Sequence, residues 1–268
     1  MKMKKTTSKN KLTDSNYWDN NWNKKNYSFY DIFKNIFVGI NNYDFYSLFR
    51  KYSSKKKKYF IFEVGCAPAN YLIYLKKRFG FNISGIEYSK EGYLQVKNNF
   101  HKNQIADKII FGDFFDYDFL KRNKEKYDIV YSIGFIEHFE NPKNAIEKHF
   151  EILKNNGICI ISIPNLNGVN SLLTEKKILD VHNRKIMDLK RLRKLFSKYE
   201  ILELRYGGGL FNWGLFSYDN WFLEKIRFFF FAFQRVFIDP IFILLHKMGI
   251  QISYKYTSPQ IIVVCRKK

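Results

Sequence analysis

Cysteine, proline and acidic residues are all scarce in this 268-residue chain. Its three cysteines, Cys66, Cys159 and Cys265, stand far apart in apolar surroundings. That spacing suits neither a zinc site nor a disulfide framework, and it reads as reduced thiols in a cytosolic protein. Nor does any His, Asp, Glu or Cys cluster have ligand spacing, so no metal is expected. The start, Met1 to Lys11, is basic but lacks an apolar core, which leaves a secretory signal unindicated. No uninterrupted apolar span approaches the ~20 residues needed to cross a bilayer. Internal repeats are absent, and low complexity is confined to the first dozen or so residues.

The shortage of acids leaves 25 Asp and Glu against 46 Lys and Arg, a formal charge of +21. Such a charge attracts nucleic acid or an anionic membrane. Yet Lys, Asn, Ile, Phe and Tyr are abundant together, which reads first as compositional bias.

What is present is organised around Tyr59 to Asn70. Tyr59 to Val64 is a short run of aromatic and β-branched residues, as in a strand buried on both faces. Small residues follow at Gly65, Ala67 and Ala69, and Leu72 and Leu75 open a helical pattern. Strand, tight turn and helix form a nucleotide-binding βα unit, in which a ligand approaches the backbone. With alanine at 67 and 69, part of the turn is expected to avoid positive φ. The next strand, Asn82 to Ile86, ends at Glu87, about 20 residues past the turn, where dinucleotide folds place a ribose-binding acid.

Strands and helices then alternate. Helices are expected at 69–79, 89–101, 116–122 and 142–154, with strands at 107–112, 127–132 and 158–163. Pro142 opens the fourth of these helices and Asn155-Asn156-Gly157 closes it. Asp188 caps a helix at 189–198, and strands at 200–206 and 260–265 follow. The rhythm implies an α/β fold, a doubly wound and mostly parallel sheet. Residues 1–54 read as an N-terminal arm with helices, 55–206 with 258–268 as the core, and 207–257 as an aromatic helical insertion before the last strand. In the arm, Trp18 and Trp22 share one helical face, either as a flap over a ligand or docked on the sheet to bury two large rings.

The spacing Glu63-x-Gly65-x-Ala67-x-Ala69 resembles motif I of the class I S-adenosylmethionine (SAM) dependent methyltransferases, with two glycines replaced by alanine. Further pieces follow in order over residues 59–206 and 259–266. Glu87, in Gly-Ile-Glu-Tyr-Ser, resembles the acid that binds the ribose hydroxyls. Asp113, in Phe-Gly-Asp-Phe-Phe, resembles the acid beside the adenine, with Phe114 next to the ring. Ser132 to Phe139 resembles the motif IV loop with its Glu-His, and Leu153 to Gly157 resembles the turn after the fourth helix. The resemblance implies a seven-stranded Rossmann-like sheet with an antiparallel last strand. It also implies SAM as cofactor, held by Glu63, Gly65, Cys66, Ala67, Glu87, Tyr88, Asp113, Phe114, Ser132 and Gly134. The chemistry agrees, because a sulfonium cation and a ribose diol need carboxylates and close backbone. Between Glu63 and Asn70 there is no Arg or Lys to cradle a phosphate.

Methyl transfer from a sulfonium calls for alignment and dryness, and for a base if the acceptor is a hydroxyl. His138 is the best placed of the five histidines for that role, ahead of His182 and Tyr256, and Glu137 caps or orients. A histidine after a strand also has a purely structural reading. The first expectation is a methyltransferase acting on a hydroxyl of a small-molecule, glycan or lipid-linked acceptor, in the cytoplasm with peripheral membrane contact. An RNA-directed methyltransferase and a non-catalytic SAM-binding protein are the alternatives. Specific nucleic-acid binding is not expected, because none of Pro68, Pro142, Pro164, Pro240 and Pro259 forms the Pro-Pro-Tyr or Pro-Cys of base-methylating enzymes. Residues 207–257 should determine the acceptor. Within them, 221–248, interrupted by charges and broken at Pro240, is expected to lie in a membrane interface, wall a pocket, complete the core or form a dimer contact. Its cations Lys225, Arg227, Arg235 and Lys247 are expected to face anionic head groups.

Overall fold

The computed structural model describes residues 10–23, 39–54 and 58–268. The N-terminal arm and helices expected over 1–54 therefore lie partly outside the described residues.

β1 (Phe60–Val64), β2 (Asn82–Glu87), β3 (Ile109–Phe111), β4 (Tyr127–Ile133), β5 (Leu153–Pro164), β6 (Glu200–Gly207) and β7 (Gln260–Arg266) form one sheet in the order β3-β2-β1-β4-β5-β7-β6. The first five pair parallel, and β7 runs antiparallel between β5 and β6. Alternate side chains bury two cores, as a sheet covered on both faces requires. On one face, Phe62, Val64 and Val130 meet α5 (Tyr117–Asn123), α6 (Lys143–Ile152) and α9 (Leu189–Leu195). On the other, Ile61, Ile129 and Tyr131 meet α2 (Ile40–Tyr52), α3 (Asn70–Phe79) and α4 (Lys90–Lys102). The doubly wound architecture is the one the alternation implies. Strand order reverses between β1 and β4, and such a switch point opens a crevice at the strands' carboxyl ends.

Three local expectations are corrected. At the first turn Ala67 avoids positive φ as expected, but Ala69, the residue before α3, takes the left-handed conformation at φ +70°, which is costly for a residue with a Cβ. The helix expected over 142–154 ends at Ile152. β5 starts at Leu153 opposite Tyr127, and residues 154–157 loop out before Ile158 pairs with Ile129. Asn156, at φ +61°, donates its N–H to Lys267 O, so the loop is held by the end of β7.

The third correction concerns 221–248. α10 (Trp221–Phe233) continues through a π-helical turn, Gln234–Ile238, into α11 (Asp239–Lys247), one helix of 27 residues. Pro240 does not break it. A proline ring clashes with the carbonyl four residues earlier, and here that residue lies in the wider π turn. Length and composition would suffice to cross a membrane. Its central polar residues face the domain instead, while Lys225 and Lys247 stay exposed. Gln234 donates to Phe211 O at 2.8 Å, Arg235 pairs with Asp239 at 2.6 Å, and Arg235 also reaches Asn41 at 3.2 Å. Arg227 is buried and pairs with Glu224. Neither arginine is available to a head group.

Candidate active site

A cavity of about 450 Å³ lies at the switch point. The carboxyl ends of five strands reach it: Gly65 and Ala67 after β1, Glu87 and Tyr88 at β2, Gly112 to Phe114 after β3, Ile133 and Gly134 at β4, and Ser162 and Pro164 in β5. Gly65 and Gly134 both have φ near the left-handed region, +69° and +66°, where a side chain would be strained. Both turns thus present backbone to the cavity.

Glu87 is buried, and its carboxylate accepts three backbone hydrogen bonds, from Ala67 N–H at 3.1 Å, Tyr88 N–H at 3.0 Å and Ser89 N–H at 2.9 Å. Burial raises its pKa, and these bonds oppose the rise. One carboxylate therefore fixes the loops after both β1 and β2 and keeps part of its acceptor capacity. Asp113 accepts from Phe115 N–H at 3.0 Å and from Lys11 Nζ at 3.1 Å. Lys11 is the one lysine or arginine lining the cavity among the described residues.

The remaining wall comes from far along the chain. Residues 10–12 run antiparallel to 138–140 through Leu12 N–H to His138 O and Glu140 N–H to Asn10 O. α1 (Ser15–Asn23) then packs on α4, where Asp19 accepts from Ser89 Oγ at 2.6 Å. Trp18 and Trp22 both line the cavity, and Trp18 meets the His138 ring edge-on at 5.0 Å. They are thus both docked and set over the cavity. Asn212, Gly214 and Leu215 line another side, whereas no residue of 221–247 does. The helix is therefore not itself a pocket wall.

His138 is buried, and its Nδ1 donates to Val181 O at 2.8 Å, leaving the lone pair on Nε2. Burial, with His182 close by, lowers its pKa to about 3, so the ring is neutral. Asn183 holds His182 there: its N–H donates to Glu137 O at 2.7 Å, and its amide donates to Phe139 O and Glu140 O, both at 2.9 Å. Glu137 is fully buried, and burial pushes its carboxyl up to about 8. Tyr256 is exposed and lies outside the cavity lining.

Of the residues expected from the sequence, Gly65, Ala67, Glu87, Tyr88, Asp113, Phe114, Gly134 and His138 come together around the cavity. Glu63, Cys66 and Ser132 do not line it. Glu63 sits on the opposite side of β1 from Val64, where Tyr131 Oη donates to it at 2.8 Å, and burial pushes its carboxyl well above the usual range. Cys66 packs against Gly85, and burial raises its thiol likewise. Ser132 is wholly buried, its hydroxyl without a hydrogen-bond partner among the described residues. Strand alternation accounts for Glu63, since the last residue of a motif fixes the face of those before it. Lys11, Asn41 and Asn212 to Leu215 escaped notice because only tertiary packing brings them here. The pairing of Ser162 with Gln260, 3.1 Å apart across β5 and β7, also carried no sequence signal.

The donor set fits SAM. Two carboxylates and close backbone suit a sulfonium, an amino acid and a ribose, and the rings of Phe114, Phe135, Trp18 and Trp22 offer π faces to a cation and a base. A methyltransferase-domain family model matches residues 42–202. A SAM-dependent methyltransferase from Aquifex aeolicus is similar in fold at 9% identity, with a TM-score of 0.53, covering 83% of this chain and 89% of its own. Phosphoethanolamine N-methyltransferase 2 from Haemonchus contortus, solved with phosphomonomethylethanolamine and S-adenosylhomocysteine, superposes with a TM-score of 0.58 at 13% identity, covering 98% of this chain and 61% of its own. No curated protein matches in sequence. The family match takes in more than half of the 268 residues, and it meets the sheet order and the acid-lined switch point in one conclusion: the chain belongs to the SAM-dependent methyltransferases, with SAM as its cofactor.

Proposed function

We propose that the protein methylates a hydroxyl of an acceptor presented at an anionic membrane surface, on the cytoplasmic side, where its three free thiols stay reduced. The observation that carries this reading is the seating of one cavity wall on an exposed apolar helix. Trp213, within the wall segment, stacks on Phe230 at 4.9 Å, and its N–H donates to Gln234 at 3.0 Å. The other side of the same helix exposes Phe222, Ile226, Phe229, Phe233, Phe237, Ile241 and Leu244, spaced three or four apart. A patch of that kind on a cationic protein fits an acyl boundary under anionic head groups. Lys225 and Lys247 lie at its two ends, exposed. Residues 207–257 thus act as the acceptor-side and membrane-contact region beside a cofactor core formed by 55–206 and 258–268.

When bound, SAM supplies a methyl group on a sulfonium for in-line transfer. Glu87 and Asp113 fix the cofactor's polar groups, while Trp18, Trp22, Phe115 and Phe139 keep water out. The neutral His138 offers Nε2 to the acceptor hydroxyl and orients its oxygen. A ring with a pKa of about 3 orients the hydroxyl and relays, rather than stores, the proton, which the oxygen gives up to solvent as it gains the methyl group.

Liposome flotation tests the membrane step. The wild-type protein is expected to float with anionic vesicles, less so at high salt. The double variant Phe229→Ser/Phe237→Ser should stay below while retaining S-adenosylhomocysteine affinity; both rings are more than half exposed, at 66% and 58%. A wild-type protein that remains soluble at low salt would move the acceptor to a water-soluble molecule, and a stable dimer lost in the double variant would assign the patch to a second copy.

A further inference from the structure

The side chains of Glu137, His138 and His182 meet at one end of the cavity. A ligand-type atom from each lies within 4.8 Å of the other two. Both Glu137 oxygens are buried and accept no hydrogen bond of regular geometry among the described residues; the backbone N–H groups of Phe135 and Glu137 only partly offset a burial that is costly for a carboxylate. The two histidines are prepared in the same way. His138 Nδ1 donates to Val181 O, and His182 Nδ1 donates to Ile178 O. Each ring therefore carries its lone pair on Nε2, with tautomer and orientation fixed by a carbonyl, as the outer partners of metal-bound histidines fix theirs. All three residues line the cavity, so a ligand held by them would be open to an acceptor.

We propose that Glu137, His138 and His182 bind one divalent first-row transition-metal ion, whose remaining positions take oxygen atoms of the acceptor. Two imidazoles and one carboxylate form a three-ligand face that suits Mn²⁺, Fe²⁺, Co²⁺ or Zn²⁺ rather than Mg²⁺, which prefers six oxygens. Ligands of a single ion with bonds of ~2.0–2.2 Å stand about 3.0–3.4 Å apart, so from separations within 4.8 Å the side chains close by up to about 1.4–1.8 Å on binding. The clamp that makes this possible is Asn183, which ties the segment carrying His182 to the 137–140 turn through three hydrogen bonds. Glu137 and His138 are adjacent while His182 is 44 residues further on (182 − 138), so no ligand spacing shows in the sequence. With the ion bound, His138 is a ligand and the acceptor is oriented by the metal. The identity of the acceptor site rests on the proposed function above; the binding of the metal does not.

The test is a titration of chelator-treated full-length protein with Co²⁺, read by its visible absorption. One equivalent is expected to bind and to be displaced by Zn²⁺ but not by Mg²⁺. His182→Ala and Glu137→Gln should each weaken Co²⁺ binding at least about tenfold, with S-adenosylhomocysteine affinity unchanged within about twofold as the sign that the cavity is intact. If His182→Ala loses that affinity by misfolding, His182→Asp replaces it and must bind Co²⁺ with an altered spectrum. No stoichiometric band in the wild type, or a band indifferent to all three substitutions, overturns the metal site. Wild-type protein that binds Co²⁺ but not S-adenosylhomocysteine would instead overturn the methyltransferase reading and leave the metal site standing.

Discussion

At Glu87, three backbone N–H groups converge on one carboxylate, so this residue shapes the cofactor loops as well as binding within them. Glu87→Ala is expected to weaken S-adenosylhomocysteine binding by about 1–3 kcal/mol, the scale for leaving buried polar groups unpaired, and to lower stability as well. Asp113→Asn should weaken binding with little effect on stability, because Asp113 is half-exposed and braces only Phe115 and Lys11. Calorimetry on both variants decides it; unchanged affinity in both would remove these acids from the site. His149 gives a second test. It is fully buried, and burial holds its pKa near 4, below the ~6.5 of an unfolded chain. Between those values the unfolded state binds the extra proton, so the stability is present above pH ~6.5 and is lost as the pH falls toward 4. At pH 5 the loss from this residue alone is about 2 kcal/mol. His149→Leu should flatten the acid limb of a denaturant-midpoint profile by that amount, and an unaltered limb would show that other groups set it.

At the level of the element, the helix of 221–247 is two-sided. Its inner side carries Arg235 and Asp239, 3% and 0% exposed, joined at 2.6 Å. Burial raises the Asp239 pKa, and the guanidinium beside it opposes the rise. Removing one partner leaves a buried charge uncompensated, so Asp239→Ala should destabilise the protein by about 3–5 kcal/mol. An apolar pair, Arg235→Met with Asp239→Leu, should recover most of the loss in chemical denaturation. Equal stability of the single and double variants would mean that the pair contributes nothing to docking the helix. The sequence pattern misleads here for a physical reason: charges inside an apolar run look like a wet face, whereas these point at the protein and leave the outer side greasier than the composition suggests.

For the whole molecule, the charge of +21 is a property of the chain rather than of the cavity, where Glu87, Asp113 and Glu137 face the single Lys11 among the described residues. Loose binding to polyanions at low salt follows from counterion release alone. Methyl incorporation from labelled SAM into total RNA near physiological salt is therefore expected to stay at background; robust, sequence-selective labelling would establish an RNA-directed enzyme. The sheet was legible in the sequence because buried parallel strands are short apolar runs ending in small or acidic residues, as at Val64-Gly65 and Ile86-Glu87. The site was legible where it sits on those ends. It was not legible at Lys11, Asn41 or Asn212, which arrive through segments whose course no periodicity encodes, and His182 was legible only as a second candidate base, not as a neighbour of Glu137 and His138. Nor were Glu63 and Cys66 separable from their neighbours, since a turn motif does not state which face each side chain takes.

The stretch from Asn10 to Asn23 has a kinetic meaning. Its short pairing with 138–140, the Lys11 contact with Asp113 and the Trp18 contact with His138 lay it across the cavity like a bolt across a door. Traffic in and out of the cofactor site is then expected to wait on peeling this stretch away, with the residence time of the spent cofactor set by contacts of the arm rather than of the cofactor. Deleting residues 1–23 should shorten that residence time in stopped-flow displacement more than it slows entry. Turnover would then be limited by release of the spent cofactor from beneath residues 10–23 rather than by the chemistry at the sulfur.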